Sequence, residues 1–137
     1  MLASLADAAL SDSALAYEPK YDGIRAIVEI PGGSGRVRLW SRLGNDKTHQ
    51  FPEIAGALER WAKSRTAPLV LDGEVVALDA DGNPTGFQKL QGRIHLTDER
   101  PTGSPTALIV FDLLRDGAQD LRGRPFRARR PHLRLIV

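Results

Sequence analysis

One lysine, Lys20, stands between two aromatic residues directly before an apolar segment of the chain. It belongs to the run from Tyr17 to Arg25, YEPKYDGIR, and residues 24–30 continue as an apolar stretch with the weak alternation of a strand. A lysine at the start of a strand lies close to packed side chains and can lose part of its hydration, which favours the uncharged amine. Because an uncharged amine is a nucleophile, the run predicts a strand and, just before it, a candidate catalytic residue.

The composition bounds the class of protein. The chain has 137 residues, 42% of them hydrophobic, which is enough for a single domain with its own core. It has no cysteine, so disulfides and thiolate metal sites are excluded. No apolar run approaches the ~18 residues that a membrane-spanning helix needs, and residues 1–13 lack the basic region of a secretory signal. We therefore expect a cytoplasmic protein without a membrane partner.

Interspersed strand and helix patterns predict an α+β fold, with a largely antiparallel sheet and flanking helices. The glycine-rich turn at 31–35 joins two alternating segments, which is typical of a hairpin. Apolar residues at helical spacing predict the buried face of one helix, formed by Ile54, Ala57, Leu58 and Trp61. The predicted strands are 24–30, 36–40, 69–78 and 107–114, and the predicted helices are 51–63, 86–93 and 126–137. Residues 1–10 fit either a short helix or an ordered arm.

Arginine dominates the positive charge. The formal net charge is only +2, but fifteen of the nineteen basic residues are arginine, which favours bidentate contacts with phosphate. Residues 115–137 hold seven arginines and two acids. This segment is either a surface that faces nucleic acid or a solvated amphipathic helix, and the sequence leaves both interpretations open.

Acidic residues occur within two of the predicted apolar strands, at positions where their side chains can lie close together. Asp72 and Glu74 lie two apart in one strand and so point to the same face, while Asp112 follows an aromatic residue in another strand. Carboxylates within apolar strands are costly unless they are paired or bind a metal. Together with Lys20 and Arg25, they fit either a site for nucleotidyl transfer with Mg²⁺ or Mn²⁺, or a set of structural ion pairs.

Five short motifs occur in a fixed order along the chain. They are Lys-x-Asp-Gly-x-Arg at 20–25, Ser-Arg at 41–42, Phe-Pro-Glu-Ile at 51–54, Leu-Asp-Gly-Glu at 71–74 and Phe-Asp-Leu-Leu at 111–114. In this order they resemble the motifs of ATP-dependent DNA ligases, which belong to the lysine nucleotidyltransferases together with RNA ligases and mRNA capping enzymes. The later segments 120–122 and 129–130 are similar to the connection found in bacterial ligases of the repair and end-joining type.

The resemblance implies a nucleotidyltransferase fold of the DNA ligase and mRNA capping enzyme type, which is similar to ATP-grasp proteins. It also implies that Lys20 attacks the α-phosphate of ATP, forms a covalent lysyl-AMP and releases pyrophosphate. The AMP would then pass to a 5′-phosphate, and a 3′-hydroxyl would seal the nick. The implied cofactors are ATP and Mg²⁺ or Mn²⁺, and the implied partner is nicked double-stranded DNA.

The same resemblance assigns roles to five further residues. Glu18 would lie beside the adenine and ribose. Arg25 and Arg42 would contact the nucleotide, with Arg42 also near the phosphate of the nicked strand. Glu74 would bind the ribose or the catalytic metal. Phe111 would stack on adenine, since an aromatic face suits a purine.

The chain departs from the family after Phe111. The family's later Glu-Gly-x-x-x-Lys and Lys-x-Lys strands and its OB-fold domain have no counterpart in the sequence, so residues 1–137 are expected to be the first part of an adenylation domain. Strands without their neighbours leave open edges, through which self-association is expected. Two other functions stay open: a catalytically inactive nucleotide- or DNA-binding module, and an RNA ligase or capping-type nucleotidyltransferase.

Overall fold

The computed structural model describes residues 11–33, 35–94 and 103–137. Residues 1–10, predicted as a short helix or an ordered arm, and most of the polar loop after residue 95 lie outside the described residues. The strands are β1 Ile24–Ile30, β2 Arg38–Ser41, β3 Leu69–Ala77, β4 Thr106–Asp116 and β5 Gln119–Asp120. The α-helices are α1 Pro52–Trp61, α2 Gln91–Ile94 and α3 Phe126–Ile136, and short 3₁₀ turns span Thr48–Gln50, Ala62–Ser64 and Phe87–Leu90.

The described strands form one antiparallel sheet in the order β2-β1-β3-β4-β5. Each pairing in this sheet is antiparallel, which confirms the predicted α+β class. The hairpin across residues 31–35 is also confirmed, with β2 starting two residues later than predicted. None of the described helices combines the length and hydropathy that crossing a bilayer requires.

The two faces of the sheet have different characters. Ala26, Val28 and Ile30 alternate along β1, and each is at least 97% buried in the hydrophobic core. Their partners on β3 include Leu69 and Leu71, which are equally buried. The intervening residues of both strands point to the opposite face, where the charged side chains lie. The sheet therefore separates an apolar core from a polar face.

Helix α1 covers the core through a stripe that differs from the predicted one. Ile54 and Ala55 are buried, as is Ala62 in the 3₁₀ turn that follows the helix, whereas Ala57 and Trp61 are exposed. The prediction for the last two residues was wrong because the stripe continues from buried Phe51 with the spacing i, i+3, i+4, i+11. Leu58, as predicted, packs against the core.

Strand β4 gains one extra residue at two points of its pairing with β3. Asp72 pairs with Asp112 and the next residue, Gly73, pairs with Val110, so Phe111 has no partner on β3. A second register shift leaves Leu114 without a partner on β3 as well. Such β-bulges bend a strand and redirect its side chains, and they are over-represented next to active sites.

Strands β2 and β5 form the edges of the described sheet, and both are short. Short edge strands limit pairing with other chains. The self-association predicted from the sequence is not tested by this arrangement and stays a prediction.

Replacing one core leucine tests the packing of the sheet. Leu113 on β4 is fully buried, so Leu113→Ala is expected to lower the free energy of unfolding by about 2–5 kcal/mol. Leu135 is 87% exposed, so the control Leu135→Ala is expected to change it by less than about 0.5 kcal/mol. Urea denaturation followed by circular dichroism measures both. Equal effects of the two substitutions would contradict this assignment of the core.

Candidate functional site

A cavity of about 1020 Å³ opens on the polar face of the sheet. Strands β1, β3 and β4 form its floor, and helix α3 closes one side. The segment before β1 and the turn after β2 contribute its rim. The residues that line it are Ala16, Glu18, Arg25, Ile27, Arg42, Leu43, Asp72, Phe111, Asp112, Leu114, Arg122, Phe126 and Arg129.

Two aspartates lie side by side at the centre of this cavity. Asp72 and Asp112 are directly opposite each other on β3 and β4, and both are buried. Each one is held by an arginine from another element. Arg25 donates from Nε to Asp72 Oδ1 at 2.9 Å and from Nη2 to Oδ2 at 2.5 Å. Arg129 of α3 donates to the two carboxylate oxygens of Asp112 at 2.8 and 2.7 Å.

These bidentate pairs cancel the charge of adjacent buried carboxylates. Without these pairs, two negative charges on adjacent strands would repel each other in a buried site with little water to screen them. The hydrogen bonds to Asp72 raise the pKa of Arg25, and those to Asp112 raise the pKa of Arg129. Both guanidinium groups therefore stay charged at every physiological pH.

The same two arginines lie near aromatic rings of the cavity. The guanidinium carbon of Arg25 is 5.9 Å from the ring centre of Phe111, and that of Arg129 is 5.8 Å from the ring centre of Phe126. Both distances are within the range of a cation–π contact. The cavity thus combines flat apolar surfaces with a lining of four arginines and three acids, a combination that suits a ligand with an aromatic ring and phosphate groups.

The β-bulge explains how Phe111 and Asp112 can both line the cavity. In a regular strand, consecutive side chains point to opposite faces, so only one of them would reach it. Because Phe111 is the extra residue, the register shift brings its ring to the same face as Asp112. Its carbonyl oxygen accepts a hydrogen bond from Arg130 Nη1 at 2.8 Å.

Lys20 lies next to the cavity rather than in it. The lysine is exposed and does not line the cavity, so the expectation that packing removes part of its hydration was wrong. The reason is that residues 16–20 form neither helix nor strand and run along the surface. The structure nevertheless places Lys20 close enough to Glu74 for its charge to act on that carboxylate.

Gly23 anchors the chain between Lys20 and β1. Its backbone N–H donates to Glu74 Oε1 at 3.1 Å. A Cβ atom at this position would lie only 2.1 Å from the carbonyl oxygen of Val75, so no other residue fits without moving the backbone. The Lys-x-Asp-Gly-x-Arg pattern therefore requires glycine at this position for a steric reason.

Glu74 accepts a hydrogen bond from the backbone N–H of Gly23 and belongs to neither of the two bidentate arginine pairs. It is half-buried, and desolvation raises its pKa above the ordinary value of 4.5. The Gly23 N–H and the charges of Arg25 and Lys20 act in the opposite direction but do not outweigh the burial. A bound cation would remove this penalty, because it favours the ionised carboxylate.

The donor set fits a magnesium ion only in part. Within the parts of the chain that the structure describes, no three metal-binding side chains cluster. Asp72 and Asp112 are engaged with arginines, whereas Glu74 belongs to no such bidentate pair and is a candidate ligand. Mg²⁺ is commonly bound by one or two carboxylates together with water and substrate phosphates. Glu74 thus fits as one protein ligand of a Mg²⁺ ion whose other ligands would be water and the phosphates of a bound substrate.

The structure separates the predicted site residues into two groups. Glu18, Arg25, Arg42 and Phe111 line the cavity, although they come from segments far apart in the sequence. Lys20 and Glu74 lie beside it and are linked through the backbone of Gly23. The predicted pairing of Asp72 and Glu74 on one face of β3 agrees with the register, since their partners Ile27 and Arg25 alternate on β1.

Sequence reasoning missed several lining residues. Phe126 and Arg129 lie three apart on α3 and so share one helix face, a signal that was available from the spacing. Ile27 shares the polar face with Arg25, which alternation along β1 also indicates. Leu114 lies two residues after Asp112, so alternation along β4 also indicates that the two share a face.

The basic C-terminal segment has a third explanation that the sequence did not raise. Four of its arginines engage partners within the fold: Arg115 with the carbonyl of Gly117, Arg122 with Asp120, Arg129 with Asp112, and Arg130 with Glu18 and Phe111. Arg127 and Arg134 are exposed, and the described residues provide no ion-pair partner for them. Part of the charge is therefore used within the fold, and two of these arginines, Arg122 and Arg129, line the cavity.

Comparison with known proteins identifies the family. A family profile described as ATP dependent DNA ligase domain matches residues 1–137. The chain belongs to this ATP-dependent DNA ligase family. Its relatives include a protein named Probable DNA ligase from Streptomyces coelicolor, 35% identical over 98% of this chain and 26% of the relative. Another is DNA ligase C from Mycobacterium tuberculosis, 38% identical over 85% of this chain and 32% of the relative.

Solved structures of this ligase family show the same fold. The ligase domain of LigD from M. tuberculosis superposes with a TM-score of 0.67 and 34% identity, covering 86% of this chain and 35% of that one. A mycobacterial DNA ligase D complexed with ATP and MES matches equally well. This likeness confirms the nucleotidyltransferase fold. The chain spans about a quarter to a third of the length of these relatives.

Neutralising Glu74 tests the charge balance of the site. Because its folded-state pKa is raised, the folded protein holds the Glu74 proton more tightly than the unfolded chain does. The resulting stability is present below pH 4.5 and is lost as the pH rises through the folded-state value. We therefore expect the free energy of unfolding of Glu74→Gln, relative to that of the wild type, to increase as the pH rises from 4 to 7. Urea denaturation at the two pH values measures this difference.

The matched control is Glu59→Gln. Glu59 also accepts one backbone N–H bond, from Val37, but it is exposed. A stability difference for Glu74→Gln that is the same at both pH values would contradict the burial penalty assigned to Glu74.

Proposed function

We propose that this chain is the ATP-binding part of a DNA ligase adenylation domain, which forms a covalent lysyl-AMP at Lys20 and thereby contributes to sealing nicks in duplex DNA. The observation that carries the proposal is the cavity beside Lys20, in which Phe111 and the two held arginines lie together. Similarity to a ligase that binds ATP supports the choice of nucleotide. The full reaction belongs to the whole ligase, of which this chain matches a part.

The purine has a suitable surface in the bulged strand. The Phe111 ring lines the cavity beside apolar side chains of β1 and β4, so a flat heterocycle can stack on it and exclude water. Glu18 lies on the rim of the same cavity, where its carboxylate can accept hydrogen bonds from the amino group of adenine or from the ribose. The nucleoside would therefore lie between the strand floor and the segment before β1.

The phosphates would lie toward the arginines and Lys20. Arg42 is exposed on the rim and can reach an anionic group from solution, while Arg25 provides a fixed positive charge on the floor. Glu74 would hold a divalent ion together with the phosphates, and that ion would neutralise negative charge that develops during transfer. Such electrostatic stabilisation is the main contribution that a protein makes to phosphoryl chemistry.

The first step would be a displacement at the α-phosphorus of ATP. Lys20 Nζ, after loss of a proton, forms the bond to phosphorus as the bond to the oxygen that bridges to the β-phosphate breaks. Pyrophosphate leaves, and a phosphoramidate links AMP to the lysine. In the later steps of the whole ligase, AMP passes to the 5′-phosphate of a nick, and attack by a 3′-hydroxyl releases it.

One observation favours a second candidate. Lys20 is exposed and outside the cavity lining, so the chain could bind a nucleotide or DNA without transferring AMP. Binding of nicked duplex with a logarithmic affinity that falls with the logarithm of the salt concentration, without any covalent AMP, would support this alternative.

The lysyl-AMP can be tested directly with ATP labelled on the α-phosphate in the presence of Mg²⁺. The wild-type chain is expected to retain label after denaturation, and Lys20→Ala is expected to lose it, because no other residue takes the place of the amine. Lys89→Ala is the matched control, since Lys89 is also exposed but lies on the 3₁₀ turn after β3. Label that persists in Lys20→Ala would refute the assignment of the nucleophile.

The stacking platform is tested by Phe111→Ala. Removing an aromatic surface under a base costs about 1–3 kcal/mol of binding free energy, so the Kd for ATP is expected to rise about fivefold to hundredfold. Trp61→Ala, which removes a partly exposed aromatic residue of α1, is expected to leave it unchanged. Isothermal titration calorimetry measures both values. An unchanged Kd in Phe111→Ala would remove Phe111 from the nucleotide site.

A further inference from the structure

Arg130 contacts two parts of the site that are far apart in the sequence. Its Nη1 atom donates to the carbonyl oxygen of Phe111 at 2.8 Å and lies 3.6 Å from Glu18 Oε1, which is an ion-pair distance. Phe111 is the bulged residue of β4. Glu18 belongs to the irregular segment 16–20, two residues before Lys20.

The carbonyl of Phe111 depends on a partner outside the sheet. At a β-bulge the extra residue has no partner on the neighbouring strand, and a backbone oxygen without a hydrogen bond is costly where water is scarce. Arg130 supplies that bond from α3. The preceding residue, Arg129, holds the side chain of Asp112 with two hydrogen bonds. Two successive arginines of one helix therefore donate hydrogen bonds to two successive residues at the bulge.

We propose that Arg130 is a positioning residue, which ties the segment carrying Lys20 to the bulge that presents Phe111. This inference rests on the proposed function, because it concerns the distance between the nucleophile and the purine platform. Arg130 does not line the cavity, so it acts through Glu18 and the backbone of β4 and not by contact with the ligand.

The energies explain why this contact acts locally. Both side chains of the Arg130–Glu18 pair are about one-third exposed, so solvent and salt screen their attraction. Such a pair is too weak to decide whether the domain folds. Its effect is therefore expected on the short segment 16–20, which has no helix or strand of its own.

Backbone ¹⁵N relaxation of the 137-residue chain, without nucleotide, tests the proposal independently of catalysis. In the wild type we expect order parameters of about 0.8 for residues 17, 18 and 20, close to those of rigid backbone. In Arg130→Ala they are expected to fall below about 0.6, while those of β3 stay unchanged. Arg127→Ala, which removes an exposed arginine of the same helix, is the matched control. It is expected to leave the order parameters of both the segment and β3 unchanged.

Two conservative variants separate the two contacts of Arg130. Arg130→Gln keeps a donor for the Phe111 carbonyl but loses the charge that attracts Glu18. It is expected to release residues 16–20 and to leave the Phe111 amide signal in place. Arg130→Lys keeps both a donor and a positive charge, and it is expected to retain the order of the segment.

The functional readout is the rate of lysyl-AMP formation at saturating ATP. Because a displaced nucleophile slows transfer more than it weakens binding, Arg130→Ala is expected to lower this rate about tenfold or more and to change the Kd for ATP by much less. If the wild type forms no lysyl-AMP, the proposed function fails, but the relaxation data still decide the role of Arg130.

Three results would overturn the proposal. One is a segment 16–20 that is already disordered in the wild type. Another is an unchanged segment in Arg130→Ala. The third is a loss of order that spreads equally through α3 and β4, which would show that Arg130 merely docks the helix.

Discussion

The structure depends on the neutralisation of two aspartates that face each other in the middle of the sheet. Asp72 and Asp112 are paired across β3 and β4, where unbalanced charges would repel each other in a buried setting. Arg25 and Arg129 resolve this conflict from opposite sides, one from β1 and one from α3. Removing either arginine would leave a buried charge without a partner, at a typical cost of about 3–5 kcal/mol.

This charge arrangement also shapes the cavity. Because Arg129 must reach Asp112, helix α3 packs across the open face of β4 and brings Phe126 with it. Because Arg25 must reach Asp72, its guanidinium lies near the ring of Phe111. The bulge allows the ring and the carboxylate, although consecutive in sequence, to share one face. Fixed cations beside aromatic surfaces are thus a consequence of the pairing that stabilises the sheet.

The sequence predicted the strands, the hairpin and the family, but not the relation of Lys20 to the cavity. Alternation is a local property, and it located β1 correctly. The motifs named Arg25, Arg42 and Phe111, which line one cavity in the structure, and their roles at a nucleotide stay a prediction. Periodicity does not encode a register shift, so alternation could not give the bulge or the position of Phe111 on the same face as Asp112. Lys20 was expected to be desolvated, yet hydration depends on what packs over the segment, which a motif does not specify.

The proposed function requires that this cavity orient ATP with its purine on Phe111 and its α-phosphate toward Lys20. A crystal structure of the chain with a non-hydrolysable ATP analogue tests this most directly. The account predicts a purine stacked on the Phe111 ring and an α-phosphorus within about 3.5 Å of Lys20 Nζ, which is the distance of a reactive arrangement. A nucleotide bound elsewhere, or one with its phosphates directed away from Lys20, would contradict it.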